Sequence, residues 1–147
     1  MDLIIRDAVG DDVQALASLM GELGYPATPE LLQHKLQLFA AGGHDQVLVA
    51  QAQGRGCGVI SLHVLDLFHA PGRLGRITSL VVSRAVRRRG VGSRLRAAAD
   101  QHFREQGCVR AEVTSGDHRS EAHAFYEQCG YRCDERRFAK VDAERLD

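Results

Sequence analysis

Val82-Ser83-Arg84-Ala85-Val86-Arg87-Arg88-Arg89-Gly90-Val91-Gly92-Ser93-Arg94-Leu95 is the stretch whose reading decides the fold. The residues leading into it, Arg76–Ser83, carry Ile77, Leu80, Val81 and Val82 and read as a strand. Beyond it, Leu95, Ala98, Ala99 and Phe103 recur at helical spacing, giving a helix from about Gly92 to Gln106 that Gly107 ends. A strand therefore runs through an Arg- and Gly-rich turn into a helix. The free N–H groups at a helix start bind anions, and the helix dipole adds to the attraction. Gly90 and Gly92 let an oxygen-rich group approach the backbone without a Cβ in the way, and Arg87, Arg88 and Arg89 add positive charge. This chemistry predicts a phosphate or pyrophosphate site.

Working outward, Cys108–Thr114 is the next strand and Arg119–Cys129 a helix closed by Gly130. Tyr131–Val141 is expected to hold one or two terminal strands. On the other side, Met1–Arg6 contains a short strand. Asp11 and Asp12 open a helix with Val13, Leu16, Leu19, Met20 and Leu23 on one face, closed by Gly24. Thr28-Pro29-Glu30 reads as a helix start, with Leu31, Leu32, Leu36, Leu38 and Phe39 apolar and Gly42-Gly43 at its end. Val47–Ala50 and Cys57–Leu65 form a hairpin about Gln53-Gly54-Arg55-Gly56, and a loop with Pro71-Gly72 follows. The hairpin is antiparallel, and the unit from Arg76 to Thr114 is a parallel crossover. The expected fold is α/β (α+β): one domain over residues 1–147, a mixed central sheet with helices on both faces.

A chain of 147 residues, 44% hydrophobic and 26% charged, has the composition of an ordinary globular domain. Its formal net charge of zero gives no global pull toward nucleic acid or an anionic membrane. No apolar run approaches the roughly 20 residues of a membrane span. The N-terminal segment is not patterned as a signal peptide, so the expectation is a cytoplasmic protein. Cys57, Cys108, Cys129 and Cys133 form no CxxC pair, Cys57 and Cys108 read as buried thiols, and no metal site is expected.

The phosphate turn is not a P-loop, because no Gly-Lys-Ser/Thr follows, and it lacks the spacing and position of a dinucleotide fingerprint. With Arg87, Gly90 and Gly92 in place it resembles the R/Q-x-x-G-x-G/A signature of the GNAT superfamily of N-acetyltransferases. A second segment agrees. Ala122-His123-Ala124-Phe125-Tyr126-Glu127-Gln128-Cys129-Gly130-Tyr131 resembles the family's A-x-x-F-Y-E-x-x-G-F/Y helix, at the expected distance downstream. The order of elements is similar across nearly the whole chain.

The resemblance implies an enzyme that moves acetyl from acetyl-CoA to a primary amine of a small molecule or protein, by direct attack in a ternary complex. It implies that the signature strand and the next one splay apart. Pantetheine would pair with Leu80, Val81 and Val82, and the amides from Arg88 to Ser93, Val91 included, would hold the pyrophosphate. Tyr126 would lie near the CoA sulfur as a general acid, its other reading being core packing beside Phe125. Glu112, on the strand Cys108–Thr114, is either a base facing the cleft or an ion-pair member. Arg76–Ser83 contains no acid, so a base on that strand is ruled out. His63, His69 and His118 are further acid–base candidates, and Asp117 or Ser120 a helix cap. The acceptor side falls to Gly21–Gly43 and Leu65–Arg76, where Glu22, Glu30 and Asp66 are the nearest acids. The alternative function is a CoA-binding module without turnover, acting as sensor or partner subunit. Neither nucleic acid nor membrane is an expected partner, and a homodimer is the oligomer the sequence leaves open.

Overall fold

The structure is a computed structural model that describes residues 2–113, 120–133 and 138–142, with the side chains at 120 and 121 outside that description. Two compact units make up the chain, Met1–Thr114 and Ser115–Asp147.

The first unit holds β1 (Leu3–Asp7), α1 (Val13–Leu23), α2 (Pro29–Gly42), β2 (Gln46–Ala52), β3 (Arg55–Asp66), β4 (Arg73–Val82), α3 (Val91–Glu105) and β5 (Cys108–Val113). The sheet runs in the order β1-β2-β3-β4-β5. Its first three pairings are antiparallel, and β4 with β5 is parallel. The mixed sheet thus follows from the hairpin and the crossover. The β2–β3 turn is tighter than the four residues expected. Gln53 and Gly54 both have positive φ, 52° and 74°, the two-residue loop whose twist matches a hairpin.

Helices cover both faces, as the alternation along β3 requires. Val59 packs with Val49, Val81, Leu16 and Leu19 under α1, with Leu32 and Leu36 of α2 alongside. On the opposite face α3 lies close, because glycines replace side chains beneath it. A Cβ at Gly58 would come within 3.1 Å of Leu95 and Val91, and one at Gly75 within 2.5 Å of the Phe103 ring. These two contacts fix how α3 leaves the end of β4.

The helix starts behave as their residues dictate. Thr28 Oγ1 accepts the amide of Leu31 at 3.1 Å, with Pro29 in the first turn. The apolar face of α2 is narrower than expected, with Leu31 and Leu38 exposed. Ahead of α1, Asp12 accepts the Val9 amide at 2.7 Å and a two-point contact from Arg6 at 2.7 and 2.8 Å. These contacts, led by the hydrogen bond from Arg6, hold the Asp12 carboxyl below its ordinary value. A depressed carboxylate contributes stability above its unfolded pKa and loses it as pH falls through the folded one. Asp12→Asn is therefore expected to cost about 1–3 kcal/mol at neutral pH. The difference should close below about pH 4, measured by urea unfolding across pH.

In the second unit the helix α4 spans Ser120–Gln128. The terminal strands expected over Tyr131–Val141 are not found at residues 131–133 or 138–142, which are irregular, and residues 134–137 lie outside the described residues. Asp117 and His118 also lie outside them. Burial raises the Cys57 thiol, and that of the half-buried Cys108 as well.

Candidate active site

β4 is longer than its parallel partnership. It pairs with β5 from Arg73 to Ile77 and, among the described residues, with β3 alone from there to Val82. The parting coincides with a bulge. Ser61 faces Ser79 and Leu62 faces Ile77, leaving Thr78 as the extra residue, its Oγ1 2.8 Å from Ser61 Oγ. Among the described residues, the sheet therefore offers an open strand edge beyond the bulge.

The three residues expected to line this edge divide by strand alternation. The Ser83 amide donates to Cys57 O at 2.8 Å, so the backbone groups of Val81, two residues back, also point toward β3. Those of Leu80 and Val82 point to the open edge. Val81 instead contributes a buried side chain, packed under α1.

From the end of β4 the chain makes a single helical turn, Arg84–Val86, and reaches α3 at Gly90. Glu22 of α1 holds this turn, its Oε1 accepting the Arg84 amide at 2.9 Å, so Glu22 is committed to the turn. Gly90 sits in the left-handed region with φ 82°, and no side chain caps the helix after it. The amide of Arg94 is the first to be taken up in the helix, by Gly90 O at 3.1 Å. The amides of Val91, Gly92 and Ser93 before it are the open donors of the first turn. Arg88 also lies in the left-handed region, with φ 66°.

The three arginines do not act alike. Arg87 folds back, its Nε donating to Val82 O at 3.2 Å, and so ties the turn to the strand end. Arg88 and Arg89 are exposed. Arg89 joins Gly90, Ser93, Arg94 and Leu3 around an open pocket of about 640 Å³. Arg94 is the cation that sequence reading missed. It lies one helical turn beyond Gly90, on the same side, a spacing that would have pointed to it. Its Nη2 donates to Leu3 O at 3.3 Å.

Glu112 has both carboxylate oxygens engaged. Oε1 lies 2.9 Å from Arg76 and Oε2 2.9 Å from Arg110. Of its two readings the geometry supports the ion pair, since each carboxylate oxygen faces a guanidinium. Asp66 pairs with Arg73 at 3.1 Å, and Glu30 lies in the first turn of α2. In the second unit Tyr126 is half-buried between two rings, 5.5 Å from Phe125 and 5.8 Å from Tyr131, both edge-on.

Known proteins are similar to this chain in sequence and in fold. The model of the acetyltransferase (GNAT) family matches residues 13–131. The aminoalkylphosphonate N-acetyltransferase of Salmonella typhimurium is 33% identical, over 93% of this chain and 90% of that one. Glucosamine 6-phosphate N-acetyltransferase 1 of Oryza sativa subsp. japonica is 33% identical over 110 residues, 72% of this chain and 65% of that one. Among solved structures, a Trypanosoma brucei acetyltransferase superposes with a TM-score of 0.81 at 25% identity, over 96% of this chain and 99% of that one. The chain is thus an N-acetyltransferase, and it belongs to the acetyltransferase (GNAT) family.

Proposed function

We propose that this enzyme transfers acetyl from acetyl-CoA to the primary amine of a small molecule, with residues 1–147 acting as one domain. One observation carries the reading: the uncapped first turn of α3 opens at the end of the strand that, among the described residues, has an unpaired edge. Acetyl-CoA supplies an activated acyl group and a thiol leaving group. The chain would hold it through the amides from Arg88 to Ser93, with Arg89 and Arg94 beside the phosphates. Leu80 and the Val82 amide would offer backbone groups to the amides of the pantetheine arm, the Val82 carbonyl being engaged by Arg87, as a strand edge takes up a peptide. Holding both reactants in line accounts for much of the rate without a covalent enzyme intermediate.

The two relatives are named for amines that bear a phosphonate or a phosphate. 2-Aminoethylphosphonate and glucosamine 6-phosphate are therefore the first acceptors to test. A cytoplasmic setting belongs to this reading and suits four cysteines that are all free thiols.

Tyr126 is proposed as the group that returns a proton to the departing sulfur, on the strength of its place in the Phe125-Tyr126 segment. Tyr126→Phe removes only the hydroxyl. The expected result is a kcat lowered at least about tenfold with acetyl-CoA affinity nearly unchanged. Steady-state release of free CoA thiol, with calorimetry alongside, checks it. A wild-type kcat in the variant would leave Tyr126 a packing residue.

A further inference from the structure

β3 and its neighbours carry a row of ionisable side chains across one face of the sheet, at the level where β4 and β5 still pair. Gln46 faces Leu62, so Asp45, one residue earlier, stands opposite His63. His63 faces Arg76 on β4, and Arg76 faces Glu112 on β5. The row lies on the face that α1 and α2 cover, since His63 is in register with Val59 and Ser61 and its ring packs 4.7 Å from that of Phe39.

Within the row, Glu112 is engaged by Arg76 and by Arg110. The Asp45–His63 pair is built differently. His63 Nδ1 lies 3.2 Å from Asp45 Oδ2, and the other oxygen, Oδ1, accepts the amide of Val64 at 3.0 Å. The backbone thus fixes the carboxylate, which holds one nitrogen of the ring, while Phe39 fixes the ring plane. A carboxylate at Nδ1 favours the tautomer with its proton there and leaves a lone pair on Nε2. Both side chains remain about a third exposed, 32% for His63 and 30% for Asp45, so the ring is reachable.

The dyad is also near the opening in the sheet. Ser61, the next residue on the same face of β3, contacts the bulged Thr78, where β4 leaves β5. Two residues along a strand span about 7 Å, within reach of an amine directly or through one water. Phe39 lies within the Gly21–Gly43 segment assigned to the acceptor side, and Asp45 just beyond it.

We propose that His63, oriented by Asp45, is the general base that deprotonates the acceptor amine, which resolves the question left by the engaged Glu112. The inference rests on the amine acetylation proposed above. An amine arrives at neutral pH as R–NH₃⁺. His63 Nε2 takes one proton, giving R–NH₂ and an imidazolium that later passes its proton to water. The amine nitrogen forms a bond to the acetyl carbon, and the carbon–sulfur bond breaks. The second proton lost from nitrogen goes to the sulfur. The products are R–NH–acetyl, CoA thiol and one proton. Asp45 acts as a positioning residue. Among the described residues, the charged groups that bear on His63 are Asp45 just ahead of β2 and Arg76 from β4, with Glu112 behind Arg76. From α2 the ring of Phe39 packs on it, and Lys35, one turn earlier, is exposed.

The test uses the full-length protein with 2-aminoethylphosphonate and glucosamine 6-phosphate, reading free CoA thiol from neutral to alkaline pH. His63→Gln should lower kcat/KM at neutral pH by at least about 100-fold, with acetyl-CoA affinity unchanged by calorimetry. The deficit should shrink as pH rises toward the pKa of the amine, because free amine then needs no base. Asp45→Asn should show a smaller deficit that shrinks the same way. A wild-type profile in His63→Gln, or a loss equal at every pH, would overturn the assignment of the base while leaving the acetylation intact. If the wild-type protein releases no thiol with either amine, the acceptor reading falls and this proposal with it.

Discussion

Phe103→Ala is expected to cost about 3–5 kcal/mol of stability, the largest effect of any single truncation on the α3 face. Phe103 is 4% exposed, and its ring stands directly over Gly75 of β4. A Cβ at position 75 would lie 2.5 Å from Cδ1, 2.6 Å from Cγ and 2.7 Å from Cε1 of that ring. Gly75 has no positive φ, so the position selects glycine for space and not for backbone freedom. Gly75→Ala alone should cost about 1–3 kcal/mol by overpacking. Together the two changes should cost less than their sum, because the new methyl occupies volume the ring has left. Urea unfolding of the four proteins gives the coupling. Strict additivity would mean that the ring and the strand do not touch, and that α3 is placed by something else.

That contact marks where sequence reading stopped. The strand, the turn and the helix around Arg87–Ser93 were legible because the anion-binding turn has a local pattern. The same holds for the Thr28-Pro29 helix start, for the sheet's mixed character and for the covering of both faces. Four features were not legible, each for a physical reason. The Gly75–Phe103 fit joins residues 28 positions apart and depends on how closely α3 lies. The Asp45–His63 pair depends on the β2–β3 register, which the two-residue turn and a one-residue bulge at Cys57 set together and which no local motif reports. The bulge at Thr78 interrupts the alternation of β4, which periodicity alone presents as continuous. Glu112 showed its alternation but not its partners, since Arg76 reaches it only through the parallel pairing of β4 with β5. Arg87 was rightly placed beside the turn, yet its side chain turns back to Val82.

Gly92→Val carries the second large effect. Gly92 lies in the first turn of α3, one residue from the open amides on either side. There a branched side chain would stand where the proposed site brings a pyrophosphate within hydrogen-bonding distance of the backbone. Acetyl-CoA affinity is expected to fall at least about 100-fold, or about 2.7 kcal/mol, in a protein that keeps its cooperative unfolding. The most direct test titrates acetyl-CoA into wild type and Gly92→Val by calorimetry. 2-Aminoethylphosphonate or glucosamine 6-phosphate is then added to each mixture, and the free CoA thiol and the mass of the amine are read. The account predicts saturable binding to wild type, thiol release matched by one acetyl group gained on the amine, and neither in the folded variant. Undiminished affinity in folded Gly92→Val would contradict the placement of acetyl-CoA at α3, and binding to wild type with no acetyl gained on either amine would contradict the transfer.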